Sequence, residues 1–107
     1  MEDPKTQLAK ELAAMEWQTI IPHAKRDAVI FVSEYLNLLN VGLAIAQDDT
    51  LSVQHWISEQ LIHKPNDEQL GSWNDSPNKQ FSTLIVQPFV LIQDTASQIT
   101  DIKKEQQ

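Results

Sequence analysis

The stretch LIVQPFVLIQ, residues 84–93, sets seven large apolar side chains around one proline, with two glutamines and no charge. A bilayer-spanning helix needs about 20 apolar residues, so this run is too short to cross a membrane. Its Val and Ile content, and the alternation of QFSTL (residues 80–84) leading into it, point to a strand that becomes buried on both faces. Pro88 has no N–H to give to a ladder. The strand therefore breaks there at a bulge or runs along an edge, with Phe89 to Ile92 resuming extended structure.

The rest of the chain supplies elements to pack against that strand. Asp3-Pro4 reads as an N-cap with proline at the first helical position, and Leu8, Leu12 and Met15 define an amphipathic helix from about Pro4 to Ala14. Thr19 is placed to cap a second helix in which Pro22 falls in the first turn, ending near Arg26-Asp27. AVIFVS, residues 28–33, is β-branched and apolar enough for a central strand.

Residues 36–46 form a helix that is apolar around most of its circumference, with Asn37, Asn40 and Gln47 as a narrow polar stripe. Such a helix needs cover on more than one side, from the sheet and from a neighbouring helix or a second copy of the chain. Asp48 or Asp49 can cap the next helix, where Val53, Trp56 and Ile57 define an inward face. LIHK, residues 61–64, is a short strand ended by Pro65, and a further helix starts at Asn66 or Asp67 and runs through Trp73. NDSPNK, residues 74–79, is a loop.

The order of elements gives an α+β layered domain over residues 4–93, with about three strands (28–33, 61–64 and 81–92) and four to five helices. Residues 94–107 are a polar tail that can form a frayed helix with Ile99 and Ile102 on one side. Trp17, Trp56 and Trp73 all fall on inward helical faces and are expected in the core.

Composition narrows the function. Fifteen acidic and eight basic residues give a formal charge of −7, which repels nucleic-acid phosphates and anionic membranes. The absence of cysteine excludes disulfides, thiolate nucleophiles and cysteine-based metal sites. The acidic opening has no basic-then-apolar signal pattern, so a cytoplasmic protein is expected. Ser33 and Ser52 lack a nucleophile-elbow motif, and Gly42 and Gly71 are the two glycines of the chain, too few for a phosphate-cradling loop.

Taken together, EWQTIIPHAKRDAVIFV (16–32), YLNLLNVGLAIAQDD (35–49), QHWI (54–57), SWND (72–75) and LIVQPFVLIQ (84–93) resemble the bacterial domain-of-unknown-function family twenty-two eighty-eight. The resemblance covers roughly residues 8 to 93. It implies a small soluble bacterial protein and brings no catalytic residue, cofactor or substrate with it. It also implies a glycine or other small residue in the turn before the first strand, where this chain has Asp27.

Two surfaces emerge as candidates. His23, Arg26, Asp48 and Asp49 could line a pocket for a small anionic ligand, Arg26 being suited to grip a carboxylate bidentately. Phe89, Leu91 and Gln93, beyond Pro88, could form an interface. His55 and Glu59 share a helical face, but two ligands do not make a metal site. The expected function is a non-enzymatic protein-interaction or regulatory module with a protein partner or self-association as a homodimer, and with no cofactor, metal or nucleic acid. A small-ligand binding protein or enzyme is the alternative.

Overall fold

Strand residues in this chain alternate between two apolar layers, and that alternation dictates the architecture. The computed structural model describes residues 3–94. Along the chain lie helix α1 (Pro4–Ala9), strand β1 (Ala13–Glu16), α2 (Trp17–Lys25), β2 (Val29–Val32), α3 (Leu38–Ala46), α4 (Thr50–Ser58), β3 (Ile62–His63), α5 (Asp67–Asn74), β4 (Gln80–Val86) and β5 (Phe89–Asp94). The strands form one sheet in the order β1-β4-β5-β2-β3. Its central pair β2/β5 is parallel and its other pairs are antiparallel.

On one face, Val29, Phe31, Phe81, Val90 and Ile92 meet Trp17 and Ile20 of α2 and Leu70 and Trp73 of α5. On the other, Ile30, Val32, Leu84, Val86, Phe89 and Leu91 meet Leu8 of α1, Leu38, Val41 and Ile45 of α3, and Val53 and Trp56 of α4. The class is α+β as expected, with a layer of helices on each face of the sheet.

Five strands stand where about three were expected. The run expected as one strand over 81–92 is a hairpin: β4 turns through Gln87-Pro88, whose peptide bond is cis, and returns as β5 with Val86 opposite Phe89. Both arms are apolar because β4 and β5 lie inside the sheet, between β1 and β2. The first helix stops at Ala9, and Ala13–Glu16 pairs with β4 as the edge strand β1. Ala, Met and Glu favour helix locally, but ladder hydrogen bonds to β4 override that weak preference.

Helix α2 begins at Trp17, so Pro22 lies inside it rather than in its first turn. The loop before β4 fixes that start, because Trp17 N–H donates to the Lys79 carbonyl and Gln18 N–H to the Pro77 carbonyl. At α1, Asp3 accepts from Thr6 N–H at 2.8 Å, and this backbone bond holds its carboxyl below the ordinary carboxylate value.

The apolar helix α3 finds its cover within the chain, from β4 and β5 beneath and from α1 and α4 beside it. Gly42 sets the closeness of this packing: a Cβ there would lie 2.3 Å from Leu84 Cδ2.

Helices α2, α3 and α4 share one form of C-terminus. Each ends in a paired closure, with Ala28, Asp49 and Leu61 N–H donating to the carbonyls of His23, Ala44 and Trp56. The residue before each donor is left-handed: Asp27 (φ 61°), Asp48 (φ 56°) and Gln60 (φ 59°). This is the helix-ending motif that glycine usually serves. The turn at Asp27 is thus of the kind for which the family resemblance implied a small residue.

Candidate functional site

The layer containing α3 and α4 leaves a groove of about 860 Å³. Ile30, Ile62 and Phe89 form its sheet side, Ala44 and Ile45 its α3 wall, and Val53 and Ile57 its α4 wall. Asp48, Asp49, Gln60, Lys64 and Asn66 are among its polar lining. That volume and mainly apolar lining fall within the range of ligand-binding clefts.

The geometry follows from short elements. β3 has two residues, and α4 packs on α3 and β3 without fully burying any side chain of its own. Ile30 and Phe89 at the start of the parallel pair are therefore covered only in part. Ile57, which the sequence pattern put on an inward face, is 55% exposed along the groove. Leu51 is 80% exposed on the same helix.

The rim is polar and charged. Asp49 caps α4, its carboxylate accepting from Ser52 N–H at 3.2 Å and Ser52 Oγ–H at 2.8 Å. The Asp48 carboxylate has no hydrogen-bond or ion-pair partner among the described residues. Lys64 Nζ is paired with the Asp27 carboxylate across the end of the sheet, and His63 donates from Nδ1 to the Lys64 carbonyl at 2.8 Å. Among the described residues, no group of three His, Cys, Asp or Glu side chains is placed to hold a metal ion. No helix among them is long and apolar enough to cross a membrane.

The four residues suggested for an anionic-ligand pocket are not brought into one cavity. Asp48 and Asp49 line the groove. His23 and Arg26 lie at the end of α2, on the other layer, where the Arg26 guanidinium donates to His23 Nδ1 at 2.6 Å.

The three interface candidates also separate. Phe89 belongs to the groove, whereas Leu91 is fully enclosed between the sheet and α3. Gln93 is 3% exposed and its amide donates to the carbonyls of Ser33 and Leu36, at 2.9 and 2.7 Å, pinning the loop that enters α3. The requirement that a buried amide be satisfied is met inside the chain. Ile30, Ile45 and Ile62 were not singled out by pattern, since nothing local distinguishes a floor residue from a core residue. Leu51 did carry a legible signal, an apolar residue on the side of α4 away from Val53 and Trp56.

Comparison with known proteins agrees with this fold. The NMR solution structure of PA1075 from Pseudomonas aeruginosa is similar, at 27% identity and a TM-score of 0.73, over 83% of this chain and 82% of that one. No curated protein matches the chain. The family described as "Protein of unknown function (DUF2288)" matches residues 3–94, and the chain belongs to that family.

Proposed function

We propose that this chain is a non-enzymatic protein-interaction module whose working surface is the groove between α3, α4 and the sheet. The observation that carries the reading is the apolar lining, with Ile57 exposed and Ile30 and Phe89 partly exposed, held open by secondary structure rather than by a loop. Exposed apolar surface rimmed by polar residues is characteristic of sites that accept another molecule. A cytoplasmic setting accompanies this reading, which draws on the acidic, cysteine-free composition.

The test uses the tagged full chain with two single-residue variants on one helix. Ile57→Asp charges the groove wall, whereas Leu51→Asp charges the outer side of α4. Both positions are exposed, so both variants should retain the wild-type melting temperature within a few degrees. The stoichiometric partner captured from host cells is then purified and titrated against all three proteins. At least tenfold weaker binding by Ile57→Asp alone supports the groove. A partner indifferent to Ile57→Asp, or no stoichiometric partner, overturns the reading. Thermal stabilisation by a small anionic metabolite, unaffected in Ile57→Asp, would favour the small-ligand alternative.

A further inference from the structure

We infer that the groove takes a segment of a partner protein that carries large apolar side chains beside clustered lysine or arginine. The inference rests on reading the groove as a partner site, and it comes from the charge of the rim. Asp48, Asp49 and Lys64 are its Asp and Lys members. Lys64 is already matched by Asp27, so its charge is locally offset by the chain itself. Asp49 lies at the rim as the cap of α4, and the Asp48 carboxylate has no partner among the described residues.

Asp48 also follows directly on the C-terminus of α3, where the helix dipole adds negative potential to that of the carboxylate. The rim is thus an acidic edge beside an apolar trough. It is complemented by cations placed next to apolar anchors, in a chain whose overall charge of −7 also attracts basic partners. A second copy is the weaker match, because it brings the same acidic surplus.

In the assigned arrangement the partner's apolar side chains rest on Ile30, Ile57 and Phe89, and its cations face Asp48 and Asp49. An acidic or uncharged apolar segment would leave the Asp48 charge unmatched. Specificity then comes from the rim and affinity from the trough.

The experiment is selection of a displayed random 16-residue peptide library on the immobilised full chain, followed by titration of the enriched peptides. Two variants serve as matched baits, Ile57→Asp and the double variant Asp48→Asn/Asp49→Asn. Asparagine caps helices and tolerates the left-handed region, so the double variant removes charge while keeping both local geometries.

The expected result is enrichment of peptides with at least two large apolar residues next to Lys or Arg. Their affinity should fall about threefold to tenfold with the double variant, as for loss of two exposed charge contacts. That loss should shrink at high salt, and Ile57→Asp should abolish binding. Apolar peptides without basic residues, sensitive to Ile57→Asp but not to the double variant, would overturn the basic partner and leave the groove reading standing. Absence of any peptide sensitive to Ile57→Asp would remove both. A concentration-dependent dimer in sedimentation, broken by Ile57→Asp, would overturn the basic partner in favour of a second copy.

Discussion

One sheet in this protein carries two apolar faces, and they are closed to different degrees. Under α2 and α5 the filling is aromatic: Trp73 stands edge-on to Trp17 and Phe81 at centroid distances of 5.1 and 4.9 Å. The Trp17 indole N–H is satisfied by Asn74 Oδ1 at 2.8 Å, so the large ring can be buried without an orphaned donor. Under α1, α3 and α4 the filling is mostly aliphatic. Gly42 lets α3 settle onto β4, but α4 leaves Ile30 and Phe89 partly exposed and Ile57 more than half exposed.

Substitutions can break that contrast. The largest effect is expected from Leu84→Asp, which places a charge at a fully enclosed position and should leave no cooperative unfolding transition. Phe89→Asp, two pairs along the ladder from Leu84 and beside the turn, should still give a folded chain by circular dichroism. Equal loss of folding would mean that the groove is core.

Trp73→Ala should cost about 3–5 kcal/mol in denaturant unfolding, as for other buried aromatic truncations. Ile57→Ala should cost less than about 1 kcal/mol, because its side chain is over half exposed. Similar costs at the two sites would erase the distinction between closed and open layers.

Gly42→Ala should destabilise by about 1–2 kcal/mol, since overpacking against Leu84 outweighs the gain in helix propensity. Smaller is Gln60→Gly, which relieves a left-handed residue at the end of α4 and should raise stability by about 0.5–1 kcal/mol. Asp48→Gly should gain less, because aspartate tolerates that conformation better than glutamine does.

Much of the fold was legible where a residue has one physical use. A helix was expected to start at Asn66 or Asp67, and Asn66 caps it, forming a capping box with Gln69. Asp49 caps α4, and AVIFVS contains β2, which has a neighbour on each side. The hairpin was hidden because Gln87-Pro88 lacks the glycine or asparagine signals of common two-residue turns, so two strands read as one. β1 was hidden because helix-forming residues occupy an exposed sheet edge. The polar tail, with Ile99 and Ile102, lies outside the described residues.

The candidate site was legible only in pieces. Phe89, Asp48 and Asp49 were picked out from sequence, but for two different surfaces. They meet because β5 starts beside β2 at the end of the sheet bordered by the α3–α4 junction. A groove is the space left between elements, and side-chain periodicity reports which face is apolar rather than how completely it is covered.

The placement of β5 also bears on how the chain must be made. It is the last described strand along the chain and the middle one across the sheet, joining β1/β4 to β2/β3. During synthesis β2 emerges long before the neighbour that fills its parallel edge. Until then its apolar residues face an open ladder, the state most prone to pairing with a foreign strand. Interruption inside the Gln87-Pro88 turn would therefore yield not a smaller domain but two strand pairs with nothing to join them.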